Sequence, residues 1–249
     1  MEYTMITTEL RTATLKEMVT QNFQTAAVFE KYSLDFCCRG GKTIDEACKE
    51  KGINLLTVLD ELSQVENDTK NVSTSFTEME PDVLCNHIVD THHAYVTKMI
   101  PVLYAHTQKI AAVHGVNHPE VIAIAKHFES VALEFQQHMK KEEQMLFPFI
   151  KAIYAATKKN QPMIHSPFGS VQNPIHMMEA EHQHAGDEMF EIRSLSKNYT
   201  PPEDGCTTYR ITYQELQDFE RDLHEHVHLE NNILFPAALR LEQAMNSKN

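Results

Sequence analysis

Apolar residues recur at three- and four-residue steps over most of the chain, the period that lines one face of an α-helix. Four long stretches carry this pattern, at about 81–108, 119–158, 174–197 and 208–245. Pro81, Pro119 and Pro174 stand near the start of three of them, where the missing N–H costs little. The text between them is turn-forming: His114-Gly115 to Asn117, then 161–173 with Pro162, Pro167 and Gly169, then Pro201-Pro202 to Gly205. Four helices joined by short loops predict a bundle over residues 80–249. Shorter helical patterns at 14–31, 45–51 and 55–65, broken by Cys37 to Lys42 and by Gly52, predict a small helical domain over residues 1–66. The polar, Ser- and Thr-rich text that follows predicts a linker over residues 67–79. The expected fold class is all-α, a four-helix bundle with a small N-terminal helical domain.

Composition narrows the function. A length of 249 residues suits one bundle plus a smaller unit, and 42% hydrophobic residues with 7 glycines and no tryptophan suit helices. A formal net charge of −13 repels phosphate backbones, so no nucleic acid partner is expected. No apolar run reaches the roughly 20 residues of a membrane span, and the first residues lack the basic and apolar regions of an export signal. A cytoplasmic protein with no membrane partner is expected. Five cysteines, an odd number, argue for reduced thiols rather than a disulfide framework.

The count that changes the picture is 15 histidines, and their spacing points to a metal site. His138-x-x-x-Glu142-x-x-x-Leu146-Phe147-Pro148 recurs as His226-x-x-x-Glu230-x-x-x-Leu234-Phe235-Pro236, 88 residues later. Four residues rotate a helix by about 400°, so each His and Glu share one face. The odd-numbered helices repeat as well, because His93 precedes His138 by 45 residues and His182 precedes His226 by 44. Four imidazoles and two carboxylates suit two ions of +2 or +3 charge, with the carboxylates and an oxygen bridging them.

Other readings compete. His92 adjoins His93, and either can face the core. His224 and His228 form another i,i+4 pair able to bind zinc, but they have no counterpart in the first copy, so a surface position is expected. Glu179-x-x-His182 and Glu225-x-x-His228 fit a ferritin-like carboxylate site, yet they fall on adjacent helices and leave the His-x-x-x-Glu repeat unexplained.

Cys37-Cys38-Arg39-Gly40-Gly41, the His-x-x-x-Glu-Glu segment ending in Leu-Phe-Pro, Glu179-x-Glu181-His182, and the His-x-x-x-Glu-Asn-Asn segment ending in Leu-Phe-Pro together resemble one family. It is the repair-of-iron-centres di-iron group of YtfE and ScdA, with a hemerythrin-like bundle, and the likeness runs from about Leu15 to Leu239. The resemblance implies a non-haem centre of two Fe ions, oxo- and carboxylate-bridged, held by His93, His138, Glu142, His182, His226 and Glu230. It implies a bacterial cytoplasmic homodimer, induced by oxidative or nitrosative stress, that restores damaged iron-sulfur proteins and meets nitric oxide or oxygen as small ligands. It also places accessory acids at Glu134 and Glu181. An oxygen carrier or sensor, and a nitric oxide reductase or oxidase, remain open alternatives, so turnover as an enzyme is left undecided.

Cys37 and Cys38 sit beside Gly40 and Gly41, which free the backbone for positive φ, and beside Arg39, which favours thiolate. A redox or thiol-exchange role is expected, with plain packing as the alternative. Pro148 and Pro236 each follow a glutamate of the repeat by six residues. A bend is expected there, with Leu146, Phe147, Leu234 and Phe235 walling the site from water.

Overall fold

Long apolar faces need partners, and in the computed structural model they find them helix against helix. Residues 11–68, 76–162 and 164–247 are described, so 69–75 of the expected linker lie outside them. By compactness the chain divides into Met1–Glu80 with His228–Leu234, and Pro81–Val227 with Phe235–Asn249. No helix among the described residues is long and apolar enough to cross a membrane.

In the first unit, α1 (Leu15–Gln21) and α3 (Ile44–Lys51) each start at a threonine. Thr14 accepts from the Glu17 N–H and Thr43 from the Glu46 N–H, and each glutamate returns the bond, satisfying N–H groups that a helix start leaves over. A β-bridge joins the two threonines. Asn22 ends α1 and its side chain accepts from the Gln24 N–H, which separates α1 from α2 (Ala26–Lys31). Gly52 closes α3 at φ 66°, the left-handed conformation glycine adopts without strain. Then comes α4 (Leu55–Asp68). Phe29, Phe36, Ile44, Val58 and Leu62 are buried in its core, and Phe36 anchors the cysteine turn that follows it.

The bundle is built from the remaining helices and includes residues 228–234. Its first rod is α5 (Pro81–Ile88) and α6 (Ala94–His114), joined by a π-helical turn at Val89–His93. The second is α7 (Glu120–Lys141) and α8 (Phe147–Lys158), joined by a π-turn at Glu142–Leu146. The third, α9 (Gln172–Leu195), is unbroken. The fourth is α10 (Thr207–Leu229) and α11 (Phe235–Asn246), joined by a π-turn at Glu230–Leu234. Packing runs α6 on α7 and α7 on α9, with α5 and α11 both against α8. Val121, Ile124, Phe128, Val131 and Phe135 bury one stripe of α7, each worth about 1.5–3 kcal/mol of transferred apolar surface. Phe219 of α10 meets Phe128 edge-on at 5.5 Å.

Two buried carboxylates fix the loops around α9. Glu242 accepts from the Ser170 hydroxyl at 2.7 Å and the Val171 N–H at 2.8 Å, placing negative charge where α9 begins. Beyond its end, Lys197, Asn198 and Tyr199 all have φ between 52° and 57°, a left-handed run that L-residues enter at a cost. Tyr199 donates to Glu220 at 2.8 Å, and the Arg193 guanidinium lies 2.8 Å from the same oxygen. Changing Glu220 to Ala should therefore lower stability by about 1–3 kcal/mol, because the buried Tyr199 hydroxyl and the part-buried Arg193 guanidinium lose this acceptor. Urea unfolding measures this, and an unchanged midpoint would refute the anchoring role.

Candidate metal centre

The three π-turns among the described residues carry members of the histidine and glutamate set: His93 ends the first, Glu142 begins the second and Glu230 the third. A π-turn closes through i→i−5 bonds, as where the Phe147 N–H donates to the Glu142 carbonyl. The extra residue shifts the helix face locally, and such turns concentrate at functional sites. Each of the last two turns ends two residues before a proline, Pro148 or Pro236. The carbonyl four residues before each proline, on Gln144 or Asn232, has no N–H to receive from it, and it falls inside the wider turn. So the expected bend at Leu-Phe-Pro takes the form of a π-turn ahead of the proline.

His93, His138, Glu142, His182, His226 and Glu230 are all within 2% of complete burial. They form two groups, His93-Glu142-His226-Glu230 and His138-Glu142-His182-Glu230, each with one donor atom per residue and all such atoms within 4.8 Å of one another. Glu142 Oε2 lies 3.2 Å from His138 Nε2 and 3.4 Å from His93 Nε2. His138 Nε2 and His182 Nε2 are 2.9 Å apart. Two carboxylates removed from water need compensating charge. Four nitrogens and two shared carboxylates fit a pair of borderline cations, each taking two imidazoles.

Around this set, carboxylates orient the imidazoles. Glu143 Oε1 sits 2.8 Å from His93 Nδ1 and Glu181 Oε2 2.9 Å from His138 Nδ1. An ionised carboxylate accepts from Nδ1–H, which leaves the Nε2 lone pair for a cation. Glu181 is held down at about 2 by its bond to His138 and by Lys141, against the opposing effect of burial. Rings complete the lining. Phe147 stacks on His93 at 5.7 Å, Phe235 on His182 at 6.1 Å and Phe135 on His138 at 4.9 Å. Leu146 and Leu234 are buried as well.

Of the adjacent pair, His93 joins a donor group and His92 does not. His92 is nevertheless buried, stacked on His226 at 5.5 Å, with Nδ1 3.0 Å from Asp222 Oδ1. Glu134 is exposed, with its Oε2 3.3 Å from His184 Nε2. Glu179 is exposed too, and neither it nor Glu225 belongs to a donor group, so the ferritin-like set is not the one assembled. His224 is half-buried, but the surface position expected for His228 is wrong. His228 lies against Phe23 and Phe36 at 6.1 and 5.9 Å, with Thr20 Oγ1 3.4 Å from its Nε2, and burial pushes its pKa down to about 4.

Two expectations for the cysteine turn are also corrected. Among the described glycines only Gly52 and Gly169 have positive φ; Gly40 is required instead because a Cβ there would come 2.1 Å from the Phe36 carbonyl oxygen. Nor is Cys37 a thiolate favoured by Arg39. Its bond to Cys38, its burial and the nearby Asp35 charge all push the thiol well above its usual range.

Glu143 and Asp35 were missed from sequence. The repeat gave no signal for Glu143, because Asn231 occupies its place in the second copy.

The hemerythrin HHE cation binding domain profile matches residues 86–238, and the ScdA_N profile, a domain of unknown function (DUF542), matches residues 11–66. A probable iron-sulfur cluster repair protein of Haemophilus influenzae is 34% identical, covering 85% of this chain and 90% of its own length. The iron-sulfur cluster repair protein ScdA of Staphylococcus haemolyticus is 31% identical, covering 93% and 98%. The iron-sulfur cluster repair protein YtfE of Yersinia pseudotuberculosis is 33% identical, covering 88% and 93%. The chain belongs to the hemerythrin HHE cation-binding family, within its YtfE and ScdA group.

The His92–Asp222 pair gives a prediction separate from any metal. Changing Asp222 to Ala leaves buried Nδ1 of His92 without its acceptor and should cost about 1–3 kcal/mol. Thermal unfolding of chelator-treated protein tests it, and a cost near zero would show that the pair holds nothing in place.

Proposed function

We propose that the chain repairs iron-sulfur clusters damaged by oxidative or nitrosative stress, using two non-haem iron ions held by His93, His138, Glu142, His182, His226 and Glu230. The observation that carries this reading is the sharing of Glu142 and Glu230 by both donor groups, the arrangement that two carboxylate-bridged ions require. The names of the relatives, iron-sulfur cluster repair proteins, support the task. Bound iron would supply redox-active Lewis-acid positions for a small ligand such as nitric oxide or oxygen.

The chain's own residues set the conditions for that chemistry. Glu143 and Glu181 hold the imidazoles of His93 and His138 in one tautomer. Phe135, Phe147 and Phe235 cover the imidazole faces and keep bulk water away, while Glu181, one-quarter exposed, gives the buried set a polar edge toward solvent. Glu134, further out, acts as an accessory acid, and Cys37 and Cys38 as the thiols that meet the client. The protein works in the cytoplasm, as a homodimer.

Replacing His226 or Glu230 with Ala should remove most bound iron, measured by metal analysis and Mössbauer spectroscopy after anaerobic purification. Two irons per chain in both variants would end the assignment. For the task itself, wild-type protein should reactivate a nitric-oxide-damaged cluster enzyme, and the Cys37→Ser/Cys38→Ser variant should do so more slowly. Nitric oxide turnover without cluster recovery would favour a reductase, and reversible oxygen binding alone would favour a carrier.

A further inference from the structure

We propose that Asp35, Cys37 and Cys38 form a second metal site, specific for a thiophilic divalent cation and distinct from the histidine and glutamate set. One atom from each of the three lies within 4.8 Å of the other two, the only such group among the described residues that contains sulfur. The spacing matches coordination. Two thiolates on one tetrahedral ion, at bonds of about 2.3 Å, stand about 3.8 Å apart, and a thiolate and a carboxylate oxygen about 3.5 Å apart. Here the sulfurs are 3.8 Å apart, and Cys37 Sγ lies 3.3 Å from Asp35 Oδ1. A disulfide would need about 2 Å between the sulfurs, and both cysteines are free thiols.

The surroundings favour a cation over packing alone. Asp35 Oδ1 accepts the N–H groups of Cys37 and Cys38 at 3.0 and 2.9 Å, fixing the carboxylate beside both sulfurs. Phe36, between them in sequence, is buried, and Gly40 lets the chain fold back against the Phe36 carbonyl. The turn is therefore rigid and its donors are pre-positioned. Three groups able to carry negative charge are gathered, and Cys38 and Asp35, with burial, make ionisation of Cys37 harder, so without a cation its proton is retained.

Binding is an exchange without redox change. The ion takes up both sulfurs and a carboxylate oxygen, the two S–H bonds break, and two protons leave to solvent. Three protein donors keep one position open, as in sites that exchange a ligand. Cys37 is buried while Asp35 and Cys38 are half-buried, so the open position has a route to solvent. An ion held this way is held for transfer.

The test uses the full-length, reduced chain with Co2+ as the probe. Co2+ at this site should give sulfur-to-cobalt charge-transfer absorption that Co2+ on histidine and glutamate cannot, with two protons released per ion bound. The absorption should vanish in the Cys37→Ser/Cys38→Ser variant and persist in His226→Ala, which separates this site from the bundle. Asp35→Asn keeps the oxygen that accepts both N–H groups but removes the charge, so the fold should persist while affinity falls at least about tenfold. Anaerobic displacement by Fe2+ or by Zn2+ then identifies the cation preferred. No charge-transfer band in the wild type, or a band surviving the double variant, overturns the site, and unchanged affinity in Asp35→Asn overturns the three-donor form.

Discussion

Burying Glu142 and Glu230 beside four imidazoles is the constraint on which the rest of the bundle depends. Carboxylates are among the most expensive groups to take out of water, and the cost returns only where opposite charge and fixed hydrogen bonds meet them. The fold answers with two donor groups that share both glutamates, a charge arrangement that cations can complete. It also supplies the outer carboxylates Glu143 and Glu181, which hold the imidazoles. The aromatic lining keeps the dielectric low, so that these interactions remain strong.

The same constraint explains the helix irregularity. A regular α-helix does not readily follow a buried glutamate with Leu-Phe-Pro, because proline gives no N–H and crowds the carbonyl four residues back. In both copies a π-turn absorbs that conflict and starts at the glutamate itself. A third π-turn ends at His93, although no proline lies within it. Irregular backbone therefore coincides with the buried donors on three of the four rods, while α9, which contributes His182, stays regular.

The N-terminal unit works by a different economy. Its helices are short and owe their starts to Thr14 and Thr43, whose capping boxes flank the loop bearing Cys37 and Cys38. The Leu15 N–H donates to the Lys42 carbonyl and the Lys16 N–H to the Gly40 carbonyl, tying that loop to α1. What it presents is two thiols and a carboxylate, an inventory unlike the nitrogen-rich one of the bundle.

How much of this was legible in the sequence follows from the range of the interactions involved. Helical periodicity is local, so the all-α bundle and its loops could be read directly. The His-x-x-x-Glu spacing is local too, and the internal repeat paired the helices, which is why the six residues named from sequence are the six that stand together. Partners from other helices carry no such mark. Glu143 on His93, Asp222 on His92 and the choice between His92 and His93 depend on contacts between rods, and the burial of His228 depends on Phe23 and Phe36. Hydrophobic period does not encode such contacts. Sequence by itself determined the kind of chemistry and its helices; tertiary structure alone decided which neighbour serves which donor, because those contacts join residues 50 to 130 positions apart.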